Sequence, residues 1–191
     1  MSKIQVVAAI SVVALLRLHS PVWGQNAPVS RELGAMAAAS PVELATEPVT
    51  VRVGMHSDAR SEIEAATASS EGKIILTIED IKFDTPPDIH YQIYVNLPSS
   101  EEPYYKSAYF VGNLSFFVER HVGTAEHPYV ARFDITKNVR QLKALKLWND
   151  AEISVTFVMR GLLDREGRPL PVYPGVRARF DNVKIAAITP R

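Results

Sequence analysis

Apolar and polar side chains alternate along six stretches of this chain. In residues 49–53, three valines fall on one side of the backbone, whereas Thr50 and Arg52 fall on the other. Successive side chains of a β-strand point to opposite faces, so this pattern predicts strands with one buried face. The six stretches are 49–53, 73–81, 90–96, 129–135, 152–159 and 176–180, and residues 183–185 continue the last one past a bulge.

Residues 136–147 break this alternation and predict one short helix. Val139, Leu142 and Leu145 recur at helical spacing, and Thr136 is a suitable N-cap. Turn residues, including most of the 13 prolines, separate the predicted strands. Seven or eight strands with one inserted helix predict an all-β fold, either an antiparallel β-sandwich or a jelly-roll barrel.

Two segments next to the first strand are polar and poor in large apolar residues. Residues 25–47 are rich in alanine, serine and proline, which predicts a linker or loose arm before a β-sandwich domain over 48–188. Residues 54–72 are polar and bounded by glycine, and they fit either a short helix or a mobile loop.

The first 24 residues have the plan of a secretory signal peptide. Lys3 supplies a positive charge, residues 4–16 form an uncharged apolar run, and Pro21 and Gly24 follow. The run is shorter than the roughly 20 apolar residues that span a bilayer comfortably. We expect cleavage after Gly24, export to the periplasm or the medium, and no membrane span after cleavage. The alternatives are an uncleaved N-terminal anchor and a misassigned start codon.

Composition and motifs narrow the chemistry that the chain can perform. The 191 residues include 21 basic and 21 acidic side chains, so no net field favours nucleic acid. The absence of cysteine excludes disulfides, thiolate metal sites and cysteine nucleophiles. Neither a GxSxG nucleophile elbow nor a glycine-rich phosphate loop occurs. We therefore expect no catalytic residues and no cofactor that the chain holds by itself.

Two histidines form a weak candidate metal site. His121 and His127 flank one loop, with Glu119 and Glu126 close by. Imidazole and carboxylate groups are common metal ligands, but binding needs a geometry that spacing alone does not secure. Solvated loop residues are the more common outcome of such spacing.

Several aromatic residues are candidates for a partner-binding surface. Phe116 and Phe117 lie in the run YFVGNLSFFV, although a ring such as Phe116 is more commonly found in a core. Tyr104, Tyr105 and Tyr173 lie in proline-rich loops and are the better candidates for an exposed docking surface. Tyrosine in such places offers apolar area with a polar tip.

Four stretches together carry a family resemblance. They are LTIEDIKFDTPPDIHYQIYVNLP (76–98), YYKSAYFVGNLSFFV (104–118), YVARFDITKNVRQLKALKLWNDAEISVTFVMRGL (129–162) and PGVRARFDNVKI (174–185). Over about residues 31–188 the chain resembles the region that follows the copper-binding domain in bacterial tyrosinase-family proteins. It is similar, more distantly, to the C-terminal domain of plant polyphenol oxidases. The Lys-Phe-Asp-Val motif of that domain has an echo at Lys82-Phe83-Asp84 or at Phe133-Asp134-Ile135.

This resemblance implies an accessory module without the enzyme. In that family two groups of three histidines on a helical bundle hold a pair of copper ions, and this chain has no such bundle pattern. The β-domain packs over the copper domain and can insert a bulky side chain near the substrate entrance. The resemblance therefore predicts a non-catalytic exported module that docks on a type 3 copper oxidase domain and shields or assists it. Copper would reach the complex only through that partner.

Three other functions are compatible with the sequence. The chain could deliver copper, with His121 and His127 holding the metal. It could instead be a stand-alone β-sandwich that binds carbohydrate or the cell envelope, which is an analogy at the level of fold. It could also be a remnant of an oxidase gene that has lost its catalytic part.

Overall fold

The computed structural model describes residues 28–37, 40–83, 89–116, 123–124, 126–161, 166 and 178–190. Within these residues the chain forms ten strands and two helices, and neither helix is long or apolar enough to cross a lipid bilayer. In chain order the elements are β1 (Val29–Met36), β2 (Val42–Leu44), β3 (Val49–Met55), α1 (Ala59–Ala68), β4 (Lys73–Phe83), β5 (Ile89–Val95), β6 (Phe110–Ser115), β7 (Tyr129–Asp134), α2 (Thr136–Ala144), β8 (Glu152–Gly161), β9 (Ala178–Phe180) and β10 (Asn182–Thr189).

Eight of these strands form a sheet that curls until its two ends meet. Their order is β6-β5-β8-β3-β1-β10-β4-β7, and every pairing is antiparallel. A Cβ built on Gly112 of β6 would lie 3.2 Å from Cδ1 of Phe133 in β7. Lys82 and Phe83 at the end of β4 pair with β9, which in turn pairs with β2. The predicted all-β antiparallel fold is therefore confirmed.

The core lies between the inward faces of the strands. In β3 the predicted alternation is observed, since Val51 and Val53 are buried and Arg52 is exposed. The rings of Phe157 and Phe180, both fully buried, lie 5.0 Å apart between centroids. Burying an apolar side chain of this size contributes roughly 1.5–3 kcal/mol. Packing of this kind fixes which face of each strand points inward.

Strand β1 occupies the middle of the sheet, where the sequence predicts only a linker or loose arm over 25–47. It pairs with β10 on one side and with β3 on the other, and Leu33 is buried. A Cβ at Gly34 would overlap the carbonyl oxygen of Gly54, so a small residue is required at that crossing. The prediction is wrong for 29–36 and 42–44, because small residues at close contacts resemble the composition of a linker.

Helix α1 settles the choice between a short helix and a mobile loop in favour of the helix. Ala59, Ile63 and Ala66 are buried along one face of α1. From α2, the guanidinium of Arg140 donates from Nε to the carbonyl oxygen of Thr67 at 3.1 Å. Its Nη2 also donates to Ser69 O at 2.9 Å. The last carbonyls of a helix have no partner within the helix, so Arg140 stabilises the end of α1.

Helix α2 begins at Thr136 and is shorter than predicted. Val139 and Leu142 are buried as the helical spacing predicts, but the helix ends at Ala144. Leu145 comes after the last helical residue and is 58% exposed, so its predicted inward position is wrong. The turn that follows places Leu145 on the surface.

Thr136 is the first helical residue of α2 rather than the N-cap that the sequence suggests. Its hydroxyl donates to Asp134 Oδ1 at 2.6 Å and accepts from the backbone N–H of Ile74 at 2.8 Å. The Thr136 backbone N–H also donates to Asp134 Oδ1, at 3.0 Å. Asp134 therefore satisfies a donor at the start of α2, and Thr136 ties the helix to β4.

Candidate functional site

The segment 96–109 connects β5 to β6, and we call it the tyrosine loop. Tyr104 and Tyr105 are 52% and 53% exposed, the largest exposed aromatic surface among the described residues. Their ring centroids are 5.1 Å apart in an edge-to-face arrangement. Lys106 Nζ lies 5.4 Å from the centroid of the Tyr105 ring, within the range of a cation–π interaction. The loop thus presents two tyrosine rings and a cation to the solvent.

A polar clamp attaches the middle of the tyrosine loop to the sheet. Arg160 in β8 donates from Nη2 to the carbonyl oxygen of Pro103 at 3.4 Å, and from Nε to Gln92 Oε1 at 3.0 Å. The buried Tyr94 hydroxyl donates to the same Gln92 oxygen at 2.8 Å. A carbonyl oxygen has two lone pairs, so Gln92 can accept both bonds. The guanidinium is thereby held in position to reach the loop.

Further hydrogen bonds fix the end of the loop that enters β6. Tyr109 donates its hydroxyl to Glu101 Oε1 at 3.3 Å, and the Tyr109 carbonyl accepts from Val95 N at 2.9 Å. In α2, Asn138 donates through Nδ2 to the carbonyl oxygens of Ala108 and Phe110, at 2.9 and 2.7 Å. The exposed tyrosines therefore stand on a backbone that is held on both sides.

Burial keeps the phenols near this loop in their neutral form. It raises the pKa of Tyr94, and it raises the pKa of Tyr109, where the carboxylate of Glu101 acts in the same direction. Both hydroxyls therefore remain hydrogen-bond donors at ordinary pH. On the same face of β5 as Gln92 and Tyr94, burial lowers the pKa of His90, and the charge of Arg160 adds to that effect.

The tyrosine loop forms a ridge between two surface grooves. One groove, of about 580 Å³, runs between Leu97, Glu101 and Pro103 of the loop and Leu147 on the other side, and we call it the Leu147 groove. The other, of about 470 Å³, separates Tyr105 and Lys106 from α2. We call it the Lys137 groove, after the exposed α2 lysine that lines it. The ridge and grooves form the candidate site.

The predicted partner-binding residues differ in their exposure to solvent. Tyr104 and Tyr105 are exposed, as a docking role requires. Phe116 is 1% exposed, and its ring contacts those of Phe83 and Tyr91 at centroid distances of 5.4 and 6.1 Å. Phe116 is therefore a core residue in this fold, and its prediction as a partner-binding residue is wrong. The two remaining candidates, Phe117 and Tyr173, lie outside the described residues.

The predicted metal ligands are only partly within the described residues. His127 is exposed, and its backbone N–H donates to Thr124 Oγ1 at 3.1 Å. His121 lies outside the described residues. Among the residues that the structure does describe, no group of three or more histidine, aspartate or glutamate side chains is arranged to hold a metal ion. Metal binding through His121 and His127 stays a prediction.

The two echoes of the Lys-Phe-Asp-Val motif lie on neighbouring parts of the sheet. In β4, Phe83 is buried and Lys82 forms an ion pair of 2.7 Å with Asp181. In β7, Phe133 packs at the meeting of β6 and β7, and Asp134 accepts the hydrogen bonds at the start of α2. Both echoes therefore have structural roles in the described part of the fold.

The clamp residues were not found by sequence reasoning. Gln92 and Arg160 lie 68 positions apart and meet only because β5 pairs with β8. Asn138 lies on the first turn of α2, a position that a sequence pattern marks only as helical. The middle of the loop is attached by Arg160 of β8, and its end is attached by Asn138 of α2.

A family model described as "Domain of unknown function (DUF7868)" matches residues 32–168. The chain belongs to this family. Comparison with curated proteins gives no match for the DUF7868 chain. The match includes the tyrosine loop and both grooves, so the candidate site lies within the part that defines the family.

A solved structure of a polyphenol oxidase shares the fold. Recombinantly expressed latent aurone synthase, a polyphenol oxidase, matches the DUF7868 chain with a TM-score of 0.50 and 17% identity over 80% of this chain. Latent apple tyrosinase matches with a TM-score of 0.41 and 18% identity, also over 80%. The chain spans only 26% and 27% of those two proteins. It therefore has the fold of one part of a polyphenol oxidase, while the resemblance to bacterial members stays a prediction.

Proposed function

We propose that this DUF7868 chain is a non-catalytic module that docks on a tyrosinase-type copper oxidase domain and shields or assists it. One observation carries the proposal. The ring pair of Tyr104 and Tyr105 is exposed on a firmly held loop. That loop belongs to a fold shared with one part of a latent polyphenol oxidase.

The physical chemistry of the ridge suits protein docking. Tyrosine is enriched in the energetically dominant positions of interfaces, because its ring buries apolar area while its hydroxyl stays hydrogen bonded. Ordering a mobile loop on binding lowers affinity, whereas a loop that is already held avoids that loss. The bonds from Arg160 and Asn138 therefore favour the ridge as a contact surface.

In this proposal copper chemistry belongs to the partner. The resemblance to tyrosinases implies six copper-binding histidines on a helical bundle, whereas this chain contains 5 histidines in all. The purified chain alone is expected to leave phenols unoxidised. Its contribution would be to cover, or to help fold, the domain that carries the metal pair.

We also propose that the chain is exported through its N-terminal segment. Support comes from the charge at Lys3, the apolar run over 4–16 and the small residue Gly24. Mass spectrometry of the protein from its native host tests this proposal. A mature N-terminus at Gln25 is expected, and a cytoplasmic protein that retains Met1 would contradict it.

The docking proposal is tested by co-expression with a tyrosinase-type copper domain encoded in the same genome. We expect the two to purify together, and phenol oxidase activity to change when the chain is present. The double substitution Tyr104→Ala and Tyr105→Ala is expected to weaken association at least about tenfold, the effect of losing one interface hot spot. Val130→Ala, at an exposed apolar residue outside both grooves, is the matched control. Absence of association and of any change in activity would overturn the proposal.

A further inference from the structure

The charges on the two sides of the tyrosine ridge differ in sign. Glu101 lines the Leu147 groove, and Glu102, the next residue in the chain, is exposed. On the side of the Lys137 groove, Lys106 and Lys137 both line the groove and are exposed. A carboxylate therefore lies in the groove on one side of the ridge, and two ammonium groups, one on the loop and one on α2, line the groove on the other side.

The other charges that line the two grooves do not cancel this asymmetry. Within the Leu147 groove, Arg52 and Glu152 form a 2.9 Å ion pair, so together they add no net charge. Within the Lys137 groove, the carboxylate of Asp134 accepts hydrogen bonds from Thr136 and lies 4.0 Å from Lys73. The charge of Asp134 is therefore partly compensated by these neighbours.

We infer that the ridge docks in one orientation, onto a protein surface that places a basic group over Glu101 and Glu102 and acidic groups over Lys106 and Lys137. This inference rests on the proposed docking function and specifies the charge pattern of the partner. Complementary charges at the rim of an interface guide the encounter and set its orientation, whereas the buried rings supply most of the affinity. A partner with the opposite charge order is rejected by like charges on both flanks.

The test uses charge reversals that leave the loop attached. Glu101 is unsuitable because it accepts the Tyr109 hydroxyl, and Lys106 is unsuitable because it contacts the Tyr105 ring. Glu102→Lys and Lys137→Glu avoid both contacts. Lys137 is the second residue of α2, where a carboxylate is favourable next to the positive end of the helix, so the fold is expected to persist.

Association with the copper domain of the same genome is followed by stopped-flow at low ionic strength. Each reversal is expected to lower the association rate constant by about three- to tenfold, with a smaller effect on dissociation. The difference from the unsubstituted chain should disappear in about 1 M salt, where the Debye length is about 3 Å. Glu71→Lys and Arg179→Glu, exposed charges that line neither groove, are the matched controls.

The outcomes separate this inference from the docking proposal. If the chain binds but both reversals leave the rate unchanged, or if either accelerates binding, the inference is overturned and docking stands. If the control reversals slow binding equally, the charge effect is general and the inference also fails. If the unsubstituted chain does not bind at all, the proposed function fails and the inference fails with it.

Discussion

The guanidinium of Arg160 lies 3.4 Å from the carbonyl oxygen of Pro103, which joins strand β8 to the loop that carries the exposed tyrosines. The same side chain is oriented by Gln92, which also accepts the hydroxyl of Tyr94. The tyrosine loop is therefore held by a network that extends into the core. The position of the ridge is a property of the fold as well as of the loop sequence.

The first prediction concerns this clamp. Arg160→Ala removes the hydrogen bonds to Pro103 and Gln92. For a partly exposed charged donor, this should lower the free energy that holds the loop on the sheet by about 1 kcal/mol. We expect hydrogen exchange at the Ser107 amide, which donates to Tyr104 O, to become about fivefold faster. Arg160→Lys should give an intermediate rate. Arg132→Ala, at an exposed arginine of β7, is the control, and equal exchange rates in all variants would exclude the clamp.

The second prediction distinguishes the core aromatic from the exposed ones. Phe116→Ala should lower the free energy of unfolding by about 3–5 kcal/mol, because it leaves a cavity beside Phe83 and Tyr91. Tyr104→Ala should change that free energy by no more than about 0.5 kcal/mol. Urea unfolding measures both values. Similar destabilisation by both substitutions would contradict the assignment of Phe116 to the core and Tyr104 to the surface.

A third prediction follows from the buried phenol of Tyr91. Burial raises the pKa of Tyr91 from 10.0 to about 12. The unfolded chain therefore releases this proton before the folded chain does, and the folded state loses stability as the pH rises above 10. The loss attributable to Tyr91 should reach about 2 kcal/mol by pH 12.

Urea unfolding between pH 8 and pH 12 tests this, with Tyr91→Phe as the matched variant. The phenylalanine ring keeps the packing against Phe116 but has no proton to release. The difference in unfolding free energy between the two proteins should be constant up to about pH 10 and then change in favour of Tyr91→Phe. If the unfolding free energies of the two proteins instead run parallel across the whole pH range, the pKa of Tyr91 is not raised.

A fourth prediction concerns the meeting of β6 and β7. A valine at position 112 would crowd the ring of Phe133, so Gly112→Val should lower the unfolding free energy by about 1–3 kcal/mol. Phe133→Leu should recover part of that loss when the two substitutions are combined. A double-mutant cycle by chemical denaturation measures the coupling. Strictly additive effects would indicate that the two residues are not in contact.

Local patterns account for much of the fold. The alternation around Val51 and Val53 identifies β3 and its buried face, and the spacing of Val139 and Leu142 identifies α2. The same patterns do not identify strand β1. Leu33 is its one large buried side chain, and Gly34 is small because a Cβ there would overlap the carbonyl oxygen of Gly54. Whether such a segment forms a strand depends on its contacts with strands that are distant in sequence. A local pattern carries no information about those contacts.

The candidate site could be predicted only in part. Proline-rich surroundings were sufficient to predict exposure of Tyr104 and Tyr105, because turns lie on the surface. Residue-type preference favours the core for Phe116 but leaves it among the docking candidates, since burial of that ring depends on Phe83 and Tyr91 from other strands.

The central position of β1 bears on any shortened version of this protein. A chain begun at residue 48, where the sequence alone puts the start of the domain, would lack the partner of both β3 and β10. The edges of β3 and β10 would then expose two rows of unpaired amide and carbonyl groups, and strands of neighbouring molecules could pair along them. Insoluble material is the expected product, and a start ahead of Val29 avoids it.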